Sequence, residues 1–155
     1  MTNWHWLSFD QLGSADLYAA LALRQEVFIL EQTCLYPDID GLDPAAMHLL
    51  GWQTEAGQRR LVAYLRCLAP GAKYTEMSLG RVVTAPSARG SGIGRDLLAQ
   101  GIAHAVAQHP GHAIRIGAQA HLERFYQSYG FVTVTDPYDE DGIRHVDMLR
   151  AAANL

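Results

Sequence analysis

Thr84-Ala85-Pro86-Ser87-Ala88-Arg89-Gly90-Ser91-Gly92-Ile93-Gly94-Arg95 decides how the rest of the chain is read. Upstream, residues 76–84 have the pattern of a strand, with Leu79, Arg81 and Val83 on one face and Gly80 and Val82 on the other. Both faces carry apolar residues, as expected of a central strand. Downstream, Ile93, Leu97, Leu98, Ile102, Ala105 and Val106 form a helical stripe that Pro110 and Gly111 end. A strand, a glycine turn and a helix in this order suit an anion. Free backbone N–H groups converge at a positive helix end, glycines admit phosphate oxygens, and Arg89 and Arg95 add charge-assisted donors. No lysine follows the glycines, so a Walker A loop is excluded; the third glycine of a dinucleotide fingerprint is missing, and His112 stands where its acid belongs. The pattern R-x-x-G-x-G, from Arg89 through Gly92 to Gly94, does fit. An ordinary glycine-rich turn ahead of a helix remains an alternative reading.

Working outward, residues 4–9 alternate as a first strand, and Ser14 is a plausible N-cap for a helix carrying Leu17, Leu21, Arg24 and Phe28. Glu26, Glu31 and Gln32 lead into an exposed, shaped loop with Pro37, Asp38, Asp40, Gly41, Asp43 and Pro44. Residues 47–53 and 60–69 read as two strands joined across Glu55-Ala56-Gly57-Gln58 as a hairpin of the longer-loop type. Residues 113–118 form a short buried strand. Leu122, Phe125, Tyr126 and Tyr129 mark a helix that Gly130 closes, and residues 131–134 and 145–149 are the last strands, separated by the acidic turn 138–142. The order predicts an α+β (α/β-like) fold, a mixed central sheet flanked by helices, with parallel pairing across the strand-helix-strand segments.

The chain has 155 residues, 49% of them hydrophobic, with 12 Lys and Arg against 16 Asp and Glu. This describes one soluble domain able to bury roughly 68–70% of its unfolded surface without disulfides or a structural metal. Mild acidity argues against nucleic acid as a partner, since clustered Lys and Arg are lacking. We read no targeting segment and no membrane span. Cys34 and Cys67 match no metal-ligand spacing and fit a reduced cytoplasmic setting, and the seven histidines lack H-E-x-x-H. No metal is therefore expected.

A second element lies beyond the glycine helix: Gly117-Ala118-Gln119-Ala120-His121-Leu122-Glu123-Arg124-Phe125-Tyr126-Gln127-Ser128-Tyr129-Gly130-Phe131 ends in Y-x-x-x-G-F. Together with the glycine turn it resembles the GCN5-related N-acetyltransferase (GNAT) superfamily. The blocks Leu23-Arg24-Gln25-Glu26-Val27-Phe28, Glu31-Gln32, Asp38-Ile39-Asp40-Gly41-Leu42-Asp43, Ala118-Gln119-Ala120-His121 and Asp139-Glu140-Asp141-Gly142-Ile143 look like its ElaA-type branch. Arg144 departs from that branch, which usually has proline there; arginine adds charge at the acceptor rim and frees a backbone angle.

The resemblance implies a mostly antiparallel acyl-CoA N-acyltransferase fold and an acetyl-CoA-dependent N-acetyltransferase, with the amine acceptor attacking directly in a ternary complex. Val82, Val83 and Thr84 would pair with pantetheine, residues 89–95 would hold the pyrophosphate, and Gln119 would lie near the pantetheine. Tyr126 would donate to the departing thiolate, although an aromatic on the inner stripe of a helix is also ordinary core. Glu31, Glu76 and His48 are candidate bases. Glu31, Asp40, His48, His121 and His145 are candidates for the acceptor side. Asp38, Asp40, Asp43, Asp139, Glu140 and Asp141 would make either a negative rim for a cationic amine or two solvated turns. The other class of function is a CoA-binding or sensing module without turnover. The acceptor is a small-molecule or peptide amine, and an exposed strand edge or the terminal segment would allow a homodimer.

Overall fold

The computed structural model describes residues 1–153. Strands β1 (Asn3–Ser8), β2 (Met47–Glu55), β3 (Gln58–Leu68) and β4 (Ser78–Thr84) form one antiparallel sheet in that order. In the second sheet β8 (Ile143–Arg150) lies between β5 (Ile114–Gln119) and β6 (Phe131–Thr133), and β7 (Tyr138–Glu140) also pairs with β8. Helices α1 (Ser14–Arg24), α2 (Ile93–Gln108) and α3 (Glu123–Gln127) pack against these sheets around a shared apolar core. The α+β expectation holds, and the expected parallel pairing shrinks to a single bridge. Met77 and Ile114 pair in parallel, and the Arg115 amide donates to the Met77 carbonyl at 2.8 Å. Beyond it β4 and β5 part. β5 and β6 are kept apart by β8, which is antiparallel to both.

Both hairpins close more tightly than their sequences suggest. Ala56 and Gly57 take φ of 51° and 76°, with Glu55 paired to Gln58, and Asp141 and Gly142 take 53° and 82°, with Glu140 paired to Ile143. Two left-handed residues make the turn whose twist matches the flanking strands, so the expected longer loop is a two-residue loop. Likewise the acidic stretch 138–142 is a strand plus a turn. Gly13 rather than Ser14 is the N-cap of α1, and the helical path expected to reach Phe28 runs on past Arg24 as a π-helical turn, Gln25–Glu31. That turn buries Val27 and Phe28 and carries Glu31 to the parting strands.

The expected alternation in β4 breaks at Arg81, whose φ is 52°. Gly80 pairs with Arg66, but the next pair is Val83 with Tyr64, so β4 carries one extra residue there. Such a bulge turns Arg81 out of the stripe shared with Leu79 and Val83. Its guanidinium Nε lies 2.8 Å from Asp38 Oδ1, at an angle too poor for a hydrogen bond, and Nη2 donates to the Asp38 carbonyl at 3.0 Å.

Arg81 belongs to a larger network. Arg24 and Arg66, 1% and 2% exposed in their side chains, share Asp43 at 2.9 Å and 3.0 Å. Arg24 also donates to Asp38 at 2.9 Å, and Arg66 grips both Asp40 oxygens at 2.8 Å and 2.6 Å. The aspartates of the loop are therefore neither a free negative rim nor a solvated turn. They neutralise three arginines that α1, β3 and β4 carry inward. Burial opposes ionisation of Asp43, but Arg24 and Arg66 outweigh it and hold the carboxyl below its usual range. Asp40 is lowered too, chiefly by its hydrogen bonds from Arg66.

A buried pair broken on one side leaves an uncompensated charge. Asp43→Asn is expected to cost about 3–5 kcal/mol of stability in urea denaturation. Since the folded-state carboxyl pKa values of Asp40 and Asp43 are depressed, their contribution to stability should be flat above about pH 5 and be lost as the pH falls below the unfolded value of about 3.9, whereas buried neutral His48 should already lower stability as the pH falls through about 6.5. Asp43→Asn should lose part of the carboxylate decline, which denaturation midpoints across pH would show.

Candidate active site

The parting of β4 from β5 opens a cleft of about 660 Å³. Val82, Val83 and Thr84 line its β4 wall, and Ile116, Gly117 and Gln119 its β5 wall. Glu31 and Gln32 close one side, Tyr126 reaches in from α3, and His121, Glu140, Asp141 and His145 complete the rim. Beyond Gly80, β4 has a ladder only with β3, so its edge toward β5 is open to an added extended chain.

At the outer end of β4 the chain makes a short 3₁₀ turn, Pro86–Ala88, and enters the glycine loop. Gly90 and Gly92 take φ of 82° and 84°, and Gly92 is the N-cap of α2. The Asp96 amide is the first to return to the Gly92 carbonyl, leaving the amides of Ile93, Gly94 and Arg95 without helical acceptors. Ser91 Oγ donates to the Ala88 carbonyl at 2.6 Å and fixes the loop. Arg89 lines the cleft, whereas residues 90–95 lie outside its mouth. Arg89 Nη1 donates to Glu31 Oε1 at 2.8 Å, so a carboxylate already occupies the arginine that faces this anion-ready loop.

Tyr126 is 6% exposed and packs edge-on against Phe125 and Phe131. Burial alone pushes its hydroxyl up to about 12, so the phenol stays protonated at neutral pH and serves as a donor. Gln119 Nε2 donates to Gln32 Oε1 at 3.2 Å, bridging the end of β5 to the π-helical turn. His145 is nearly buried. Its Nδ1 donates to the Ile143 carbonyl at 2.8 Å, and its Nε2 lies 3.5 Å from Glu140 Oε2.

The remaining candidates separate. Asp40 lines the cleft with both oxygens held by Arg66. His48 lies outside the cleft, 1% exposed; its Nε2 donates to the Asp43 carbonyl at 3.0 Å and its Nδ1 accepts from the Tyr64 hydroxyl at 2.7 Å. Burial lowers its pKa and keeps it neutral. It braces the aspartate loop and has no access to an acceptor. Arg144 is exposed, paired in register with Asp139. Sequence reasoning missed Arg66, Tyr74, Tyr138 and Asp147. Arginine within the apolar run of β3 was the available signal for Arg66, since a buried cation requires nearby acids.

The acetyltransferase (GNAT) domain family matches residues 53–151. The chain belongs to the GNAT acetyltransferase family. It is 40% identical to ElaA of Escherichia coli over 152 residues, covering 97% of each chain, and 44% identical to the UPF0039 protein sll0451 of Synechocystis over 147 residues, covering 95% of this chain and 94% of that one. Its fold superposes on the crystal structure of an acyl-CoA N-acyltransferase from Pseudomonas aeruginosa with a TM-score of 0.91 at 40% identity, over 97% of this chain and all of that one. This GNAT chain is thus an acyltransferase of a fold that binds acyl-CoA. Among its described residues no helix is long and apolar enough to cross a membrane, and no group of three or more metal-ligating side chains occurs.

The Glu31 to Arg89 pair is half exposed on both sides, so it is worth about 0–1 kcal/mol. Glu31→Gln should therefore tighten inorganic pyrophosphate binding by no more than about 5-fold, and Arg89→Ala should weaken it. Calorimetric titration of pyrophosphate into the three proteins checks both directions.

Proposed function

We propose that this GNAT protein is an acetyl-CoA-dependent N-acetyltransferase that moves the acetyl group to an amine acceptor by direct attack in a ternary complex. The observation that carries this reading is the open β4 edge, which leads from the glycine loop into a cleft that Tyr126 also lines. The pantetheine arm would lie along Val82, Val83 and Thr84 as an added strand. Residues 89–95 would hold the pyrophosphate through the free amides of α2 and through Arg89 once it leaves Glu31. Gln119 would meet the pantetheine from the facing wall. Arg81 and Val82 stand outside the β3 register, and the backbone there would donate to the thioester carbonyl, stabilising the oxyanion.

Chemistry then needs two proton movements. The acceptor nitrogen bonds to the carbonyl carbon, the carbon–sulfur bond breaks, the nitrogen loses a proton and the sulfur gains one. His145 suits the first step, since it lines the cleft with its Nδ1 held by the Ile143 carbonyl and its Nε2 beside Glu140, which could receive the proton in turn. His121, exposed on the rim, lacks such partners, and Glu31 is engaged by Arg89. Tyr126 suits the second. Full transfer from a phenol at about 12 to a thiolate of reference pKa about 8.5 would run uphill by about 5 kcal/mol. Tyr126 therefore holds the thiolate by a hydrogen bond while solvent supplies the proton. Both thiols, Cys34 and Cys67, are free, which suits a reducing cytoplasmic setting.

A hydrogen bond to a charged group is worth about 1.5–3 kcal/mol, so Tyr126→Phe should lower kcat roughly 10- to 150-fold with CoA affinity close to wild type. Acetyl-CoA incubated with small amines, polyamines and peptide N-termini should give an acetyl mass increment on an acceptor. CoA binding with no acetylated product across such panels, and an unchanged Tyr126→Phe protein, would favour a CoA-binding module without turnover.

A further inference from the structure

Helix α1 and the π-helical turn after it are apolar on two faces. Ala20, Leu23, Val27 and Phe28 face the core, while Tyr18, Leu21, Ala22, Ile29 and Leu30 form a second stripe on the outer side. An outer helix ordinarily turns polar residues to water. Here the outer stripe is one bank of a groove of about 800 Å³, and the returning loop, residues 35–39, is the other. Seven large apolar side chains are exposed among the described residues, and four of them, Tyr18, Leu30, Leu35 and Ile39, stand round this groove. Leu35 is 91% exposed. The loop that presents it is tied down from beneath: the Asp38 carboxylate accepts from Arg24 at 2.9 Å, and the Asp38 carbonyl accepts from Arg24 and Arg81 at 2.9 Å and 3.0 Å. The apolar groups therefore project from a fixed backbone, and covering them costs little further ordering.

We propose that this groove is the interface of a symmetric homodimer, in which each copy seats Leu35 and Ile39 in the groove of the other. The patch is self-complementary: it carries both the projecting side chains and the hollow that receives them, and a two-fold axis brings each to the other. Area agrees. The four exposed side chains present on the order of 500 Å² per copy, at the upper end of what a monomer leaves in one patch, and two such patches reach the roughly 1,000 Å² that a specific interface needs. Charge does not oppose the contact. Among the described residues no Lys or Arg lines the groove, Asp38 is neutralised by Arg24 and Arg81, and the other acid, Glu26, is exposed and stays in water at the rim. A basic peptide would meet only that carboxylate, so a second copy is the better occupant. The same loop sends Cys34, Tyr36 and Asp40 to the cleft on its other side, and Tyr36 lines both hollows. A second copy thus braces one wall of the cleft, and this contact is independent of the proposed transfer chemistry.

Sedimentation velocity of the full chain between about 1 and about 100 µM tests this directly. The chain should run as a dimer at the upper end, and Leu35→Asp and Ile39→Asp should each weaken the dimer at least about 100-fold, because a two-fold interface loses every side chain twice. Both side chains are exposed in the single chain, so the variants lose no core contact and their circular dichroism should match wild type. Val132→Asp changes a similarly exposed apolar site on β6, outside the groove, and should leave the dimer intact. Because apolar burial carries the contact, raising NaCl from about 0.1 to about 0.5 M should not dissociate it. Hydrogen exchange of the wild-type chain, which needs no variant, should show the amides of residues 35–39 better protected at the higher protein concentration. A chain that stays monomeric throughout, a dimer that salt dissociates, a dimer that both Leu35→Asp and Ile39→Asp leave intact, or protection at 35–39 that ignores concentration would each overturn the proposal.

Discussion

The parting of β4 from β5 is the constraint on which the molecule depends. One parallel bridge at Met77 and Ile114 joins the two sheets, and past it the strands have no ladder in common. An open strand edge inside a protein is normally a liability, because unpaired backbone groups invite other chains. Here it is bordered by a glycine loop with free amides, a buried phenol and a cluster of polar side chains. In the function proposed above, the opening is where an extended ligand would complete the sheet.

Keeping that opening in shape falls to the buried ion network. Arg24, Arg66 and Arg81 come from three elements, and Asp38, Asp40 and Asp43 from one loop, so the loop ties α1, β3 and β4 together. The bulge at Arg81 does two things at once. It sends the guanidinium to Asp38 and puts residues 81 and 82 out of register with β3, where the thioester carbonyl would need a donor. Stability and site geometry thus share the same residue.

Much of this could be read in the sequence, and what could not has physical causes. The strand, glycine turn and helix around Arg89 were legible because spacing, left-handed glycines and helix periodicity are local properties. Tyr126 was legible as a position four residues before Gly130, and its burial was legible too, as an aromatic on the inner stripe of a helix. The aspartate loop was misread because charge on a loop ordinarily means solvent, and only the fold brings three arginines to it. His48 looked available for the same reason in reverse: a histidine opening a strand gives no sign that Asp43 and Tyr64 will enclose it. The two hairpins were read too long because Ala56 and Asp141 adopt left-handed conformations that their side chains do not advertise.

A crystal structure of the chain soaked with CoA tests the central claim most directly. The account predicts pantetheine amides paired with the β4 edge at residues 82–84, the diphosphate on the amides after Arg89, and the sulfur within hydrogen-bonding reach of the Tyr126 hydroxyl. Coenzyme bound elsewhere on the surface, or a sulfur remote from that hydroxyl, would contradict it.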